Sequence, residues 1–285
     1  MISYIESSTY SPEVQQLRRL AMMVEYDGAR YHGFQAQSNA ISIQETLEEA
    51  IFNLTGEWLR VKGAGRTDSG VHAQGQVVSF DTCSMYDPSI FAQALNHYLP
   101  GDISVKSVER VAQNFDPRRW AISREYRYTI LNSEVNSPLL RGFVYNVRRP
   151  LDTMIMLDAA RLLEGEMNFA PFTRALYGES MNTSRIVFTC SVNRTGNMVF
   201  IDMEANGFLQ QQVRRTAAAL LEVGLGHLEL NEFRTLSESG KPGVFSNVLP
   251  AKGLSLMRVN YHMPLFSSER TLNVRVGEIF EESHI

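Results

Sequence analysis

The chain has 285 residues, 44% of them apolar and 20% charged, with 19 glycines and 10 prolines. That length and balance call for one large or two mid-sized domains around a hydrophobic core, and they exclude wholesale disorder, a collagen repeat and a disulfide- or metal-stapled miniprotein. The formal net charge of −4 argues on its face against a nucleic-acid partner, since such domains usually carry a basic excess.

The distribution of charge qualifies that exclusion. Only four of the 27 basic residues are lysine (Lys62, Lys106, Lys241 and Lys252), and the arginine fork suits phosphate, carboxylate and base stacking; a genomic composition bias gives the same ratio. Between Arg110 and Arg149 there are eight arginines against three acids, Asp116, Glu125 and Glu134, while Glu269, Glu278, Glu281 and Glu282 compensate near the end. Such asymmetry can steer a polyanion to one face. Cys83 and Cys190 share no spacing motif and read as buried core thiols in a reducing compartment. The six histidines form no i,i+4 pair and lie near no cysteine, so no zinc site is expected. The polar start MISYIESSTYSPEVQQ is no signal peptide, and no apolar run approaches 18 residues; the expected location is the cytoplasm.

Residues 1–17 read as a loose extension. Leu20 to Tyr26 reads as a strand closed by the turn signal Asp27-Gly28. Ser42 and Glu45 form a capping box ahead of Ile43, Leu47, Ala50, Ile51 and Leu54 at helical spacing, which predicts a helix over 43–55. Trp58 to Lys62 and Gln76 to Asp81 read as strands flanking a loop. Asp87-Pro88 opens a helix carrying Ile90, Phe91, Ala94, Leu95 and Tyr98, stopped by Pro100-Gly101. With a strand from Ile103 to Val111 the order is β-α-β-β-α-β, which is ferredoxin-like. The second half repeats the plan: strands at Tyr126 to Leu131 and Phe143 to Val147, a helix capped by Asp152 through Leu163 and closed by Gly165, and a hairpin of Ile186 to Asn193 and Met198 to Glu204. A helix from about Gly207 to Val223 and a strand from Leu254 to Tyr261 complete it. The expectation is an α+β protein of two ferredoxin-like halves, 18–112 and 113–262, with antiparallel sheets joined side by side, helices on one face, and a tail at 263–285.

Residues 63–80, GAGRTDSGVHAQGQVVSF, place three glycines in eight positions between two strands. The loop lacks the Gly-Lys-Ser/Thr ending of a phosphate-binding P-loop. It holds Arg66 and Asp68 two residues apart among residues too small to bury them; a turn in which Asp68 caps its own backbone is the plainer reading of that spacing.

The nine residues from Gly65 to Ala73, GRTDSGVHA, resemble the signature of the TruA family of tRNA pseudouridine synthases. The likeness continues through Glu25-Tyr26-Asp27-Gly28, Gly33-Phe34-Gln35-Ala36-Gln37, Ile43-Gln44 with Leu47-Glu48, and Leu99-Pro100-Gly101-Asp102-Ile103. Arg124-Glu125-Tyr126-Arg127-Tyr128 and Leu254-Ser255-Leu256 before Val259-Asn260-Tyr261 extend it over roughly residues 20–262. The resemblance implies a homodimer that isomerises uridine to pseudouridine at positions 38, 39 and 40 of the tRNA anticodon arm, without metal or cofactor, in a cleft between the halves. It makes Asp68 the catalytic carboxylate, able to act as nucleophile or base. It gives Arg66 the task of holding the nucleotide out of the stack and Tyr126 that of packing against the base, with Tyr128 as a neighbouring tyrosine that could equally be core. In Phe208-Leu209-Gln210-Gln211-Gln212-Val213-Arg214-Arg215 it puts Arg214 against Asp68, favouring the ionised carboxylate; Gln212 stands where methionine is usual, and Arg215 is adjacent. His72 is read as ordering the loop. Two other classes compete: a noncatalytic tRNA-binding protein on the same scaffold, and a glycosidase or nucleosidase, which normally needs a second carboxylate.

Overall fold

The computed structural model describes residues 17–174 and 182–266. Most of the N-terminal extension, and the tail from 267 with its four glutamates, lie outside the described residues. Among the described residues the fold is α+β, built on one mixed, mostly antiparallel ten-stranded sheet. In chain order the strands are β1 (Arg18–Tyr26), β2 (Lys62–Gly63), β3 (His72–Thr82), β4 (Ile103–Val111), β5 (Ala121–Asn132), β6 (Tyr145–Val147), β7 (Gly165–Asn168), β8 (Ser184–Thr195), β9 (Met198–Ala205) and β10 (Leu254–Tyr261). Helices are α1 (Ile43–Thr55), α2 (Pro88–Tyr98), α3 (Thr153–Arg161), α4 (Gln212–Gly224) and α5 (Leu230–Glu238).

The main path runs β4-β1-β3-β10-β5-β9-β8-β7, with β2 on β3 and β6 on β5. The last strand therefore stitches the two parts of the chain together. β10 runs parallel to β3 at Ser255↔His72 and Leu256↔Ala73 and antiparallel to β5. The same edge of β3 is taken by β2 further along, at Lys62↔Ser79 and Gly63↔Val78. The loop 64–71 joins β2 to β3 and so emerges at the seam where the edge passes from one partner to the other.

Side-chain alternation assigns the two faces. Tyr126, Tyr128 and Ile130 lie opposite Met203, Ile201 and Val199, all buried, and Leu20 and Met22 lie opposite Phe80 and Val78, also buried. The Phe91 ring of α2 sits 5.7 Å from Phe80 on this face, α4 contacts β5, and α3 contacts both β8 and α4. The opposite face carries charge: Arg19–Asp81, Glu25–Lys106 and Arg127–Asp202 pair across it, with the Arg127 guanidinium 4.8 Å above the Phe200 ring.

Local sequence accounts for the element ends. Ser42 Oγ accepts from the Glu45 N–H at 3.2 Å, and its hydroxyl donates to the Glu45 carboxylate at 2.7 Å, so the acid of the capping box meets the serine side chain. Asp87 caps α2 through the Ser89 N–H, and Asp152 caps α3 through the Met154 and Ile155 N–H groups. The expected strand at Trp58 to Lys62 shrinks to the two residues of β2. Trp58 is 72% exposed and stacks on Phe52 of α1 at 4.1 Å, outside any ladder. α3 ends at Arg161, short of Leu163, and α4 begins at Gln212, five residues after the expected Gly207. Gln211 adopts φ 60° there, a left-handed residue that cannot continue a helix. β7 and α5 add to the expected elements. Cys190 is buried as expected, whereas Cys83 is half-buried beyond the end of β3.

Candidate active site

Motifs scattered over seventy-odd residues of the first half converge on loop 64–71. Phe34 N–H donates to Thr67 O at 3.1 Å, and Gly70 N–H and the Ser69 hydroxyl both reach Tyr31 O. Tyr31 in turn donates through its hydroxyl to Asp102 at 2.6 Å, and Asp27 N–H donates to Asp102 O at 2.9 Å. Gly28 and Gly33 are required by contact: a Cβ on Gly28 would stand 2.0 Å from Val71 O, and on Gly33, at φ 97°, 2.7 Å from Thr67 O. The acid Glu48 of α1 is buried because it accepts from Val61 N–H, Gln44 Nε2 and Arg60 just before β2. Gln76 of β3, fully buried, donates to Gly65 O at 2.9 Å. These bonds fix the backbone on both sides of Asp68.

Asp68 faces Arg214 of α4, Oδ2 to Nη1 at 3.3 Å, with side chains 30% and 14% exposed. Arg214 is itself held by Nε donating to Leu249 O at 2.8 Å, so the guanidinium is fixed before it meets the carboxylate. Arg215 points elsewhere: it is buried, donating to Phe245 O, Ser246 O and Gln211 Oε1. The geometry thus pairs Arg214, and not its neighbour, with Asp68.

Tyr126 and Tyr128 separate as clearly. Tyr128 is wholly buried, its hydroxyl donating to Pro250 O at 2.8 Å, and its ring occupies the space that a Gly253 Cβ would need. Tyr126 packs edge-on against Phe208, 5.2 Å between centroids, and its hydroxyl lies 3.9 Å from where a Gly65 Cβ would stand. Burial, then Tyr26 and Asp68, push its phenol well above the ordinary range, so it stays neutral at physiological pH. Tyr26, pushed up to about 12 by burial, shares a 2.8 Å hydrogen bond with the Thr67 hydroxyl beside Asp68. Arg66 is exposed and makes no ion pair among the described residues.

His72 binds structure together. Its Nε2 lies 3.0 Å from Gly142 O and 3.2 Å from Lys252 O, so it carries a hydrogen; Nδ1 lies 3.1 Å from Gly28 N and 3.0 Å from Asp27 Oδ1. Four chain segments meet on one ring.

Arg124 escaped the sequence reading of the site. It is buried and spends its guanidinium on backbone oxygens: Ala64 O at 3.0 Å, Asn206 O at 2.9 Å, Arg118 O and Ala121 O. It ties the start of the Asp68 loop to the segments leading into Phe208 and Trp120. The signal was present, since period-2 alternation places residues 124, 126 and 128 on one face. The same alternation divides the arginine-rich segment. Arg124 is interior and Arg127 lies on the far face, neutralised by Asp202, so the eight arginines do not form one surface.

A cavity of about 510 Å³ lies on that far face, lined among others by Glu25, Lys106, Arg127, Phe143 and Phe200. It touches Tyr26 and His72 but none of Asp68, Arg66, Tyr126 or Arg214.

The family model described as "tRNA pseudouridine synthase" matches residues 22–118 and 159–262. Similar proteins include the tRNA pseudouridine synthase A of Pelobacter propionicus, 39% identical over 245 residues, 86% of this chain and 100% of the relative. That of Acetivibrio thermocellus is 40% identical over 246 residues, with the same shares covered, and that of Pseudoalteromonas atlantica is 40% identical over 85% of this chain and 92% of its own. With its loop, its cross-sheet partners and relatives matched nearly end to end, this chain belongs to the TruA family of tRNA pseudouridine synthases and is an isomerase.

Proposed function

We propose that the enzyme isomerises uridine to pseudouridine at positions 38, 39 and 40 of the tRNA anticodon stem-loop, acting in the cytoplasm on a nucleotide flipped out of the stack. The observation that carries this reading is the Asp68 carboxylate held at 3.3 Å by an arginine that is itself anchored, next to the neutral, partly lined face of Tyr126. In the reaction the N1–C1′ bond breaks, the base turns, C5 bonds to C1′, the C5 hydrogen is lost and N1 gains one. Asp68 supplies the carboxylate for this, as nucleophile or as base. The aromatic pair Tyr126 and Phe208 offers an apolar wall for the base. Arg66, exposed and unpaired among the described residues, is free to occupy the gap left by the flipped nucleotide and bind phosphate, offsetting part of an unstacking cost of a few kcal/mol.

The strand order β4-β1-β3 with β2 on β3 supports reading 18–112 as a ferredoxin-like half, with 113–262 as its counterpart. The charged sheet face and its cavity are a surface open to a second copy, in keeping with a homodimer. Incubating the purified protein with unmodified tRNA and mapping pseudouridine tests the assignment: product at 38–40 is expected, and tRNA bound without product, or free base released, would replace it with one of the two competing classes.

A further inference from the structure

We propose that Arg185, at the start of β8, is a phosphate-binding residue that holds the RNA backbone beside the target nucleotide. The inference rests on reading this site as one that takes tRNA. Arg185 is half-buried, and its Nε lies 3.9 Å from where a Cβ on Gly207 would stand. Gly207 leads directly into Phe208, whose ring packs on Tyr126, so the guanidinium lies at the rim of the proposed base wall. Nη1 is fixed by donating to Asn182 O and Ser184 O. That anchoring leaves Nε and Nη2 without hydrogen-bond or carboxylate partners among the described residues.

An arginine taken partly out of water is ordinarily compensated by an anion. Elsewhere in this chain Arg19 meets Asp81 and Arg127 meets Asp202, and Arg19 is shifted upward by its acid, whereas Arg185 is shifted downward by burial alone. Its hydration is reduced, its direction is set by the backbone and its donors are unused, which is the preparation a phosphodiester needs for charge-assisted hydrogen bonds. An arginine serving only to staple its own turn would need nothing beyond Nη1.

The test uses the full-length enzyme and a synthetic anticodon stem-loop RNA. Arg185→Ala should weaken binding about tenfold, the loss of roughly one charge-assisted contact, and make the log–log salt slope shallower by about 0.7 to 0.9. Arg185→Lys should restore the slope while recovering only part of the affinity, a pattern no structural role produces. With single methylphosphonate linkages placed along the RNA, wild type should lose affinity at one linkage and Arg185→Ala should be indifferent to it. Unchanged slope and affinity in a variant that melts like wild type would overturn the proposal, as would a loss coupled to no linkage. Should Arg185→Ala fail to fold, the linkage scan with Arg185→Lys decides: a penalty smaller than that of wild type at one linkage supports it, and penalties equal to those of wild type at every linkage refute it. Pseudouridine formation by wild type is read separately, so failure of the functional assignment would not be mistaken for failure of the phosphate contact.

Discussion

Replacing Arg214 and Arg215 by alanine, one at a time, separates catalysis from scaffolding on adjacent residues. Arg214 gives Asp68 a hydrogen bond at 3.3 Å and is anchored to Leu249 O at 2.8 Å. Losing one hydrogen bond to a charged group costs about 1.5 to 3 kcal/mol, and if that is felt in the transition state the rate falls roughly 10- to 150-fold. Because Asp68 is 30% exposed, water can solvate the orphaned carboxylate, so stability should change little. Arg215 is the reverse: buried, with bonds to Phe245 O, Ser246 O and Gln211 Oε1. Arg215→Ala strands the buried Phe245 O at about 1 to 3 kcal/mol and also removes the part-buried bonds to Ser246 O and Gln211 Oε1, so it should lower the melting temperature markedly. The assay is single-turnover pseudouridine formation at saturating tRNA, with thermal unfolding of the same preparations. An undiminished rate in Arg214→Ala, or an equal loss in both variants at equal stability, would refute the pairing.

Three further outcomes follow from local geometry. Gln212 is fully buried; its Oε1 accepts from Leu209 N–H at 2.8 Å while its Nε2 lacks a partner among the described residues, so Gln212→Met trades an orphan donor for an orphan N–H. Stability should move by no more than about 1 kcal/mol with activity retained; denaturant midpoints showing a loss above about 2 kcal/mol would mean the amide is satisfied. Gly28→Ala drives a Cβ into Val71 O and should cost more than about 2 kcal/mol, so an unshifted melting curve would show that the Asp68 loop is not held as described. Arg19 holds the Asp81 carboxyl below the usual carboxylate range through hydrogen bonds at 2.7 and 2.6 Å. A depressed folded-state value contributes stability above the unfolded value of about 3.9 and loses it as pH falls through the folded one. The stability gap between wild type and Asp81→Asn should therefore be largest above about pH 5 and close in acid; a gap that widens on acidification would reverse the sign.

What was legible in the sequence were the elements whose ends are written in side chains. Ser42 and Glu45 fixed α1 at Ile43–Thr55, and Leu254–Tyr261 was bounded as observed. Elements without such punctuation went astray. β2 is two residues long and carries no pattern, α5 follows Glu229 without a side-chain cap, and the onset of α4 is set by a left-handed Gln211 that composition does not announce. The candidate site was marked in the sequence by its nine-residue loop, whereas the contacts that support that loop were not. Arg124, Gln76 and Tyr26 act through tertiary hydrogen bonds to Ala64 O, Gly65 O and Thr67, and no local spacing encodes those. Net charge misled for a related reason, because it sums Arg127 and Asp202 on the far face with Arg66 at the site.

The central claim, that Asp68 carries the isomerisation, is tested most directly by Asp68→Asn. The variant keeps the size of the side chain and the loop hydrogen bonds made by Thr67, Ser69 and Gly70, so it should bind the anticodon stem-loop with affinity close to wild type and form no pseudouridine in a single-turnover assay. Substantial pseudouridine from the purified variant would contradict the account.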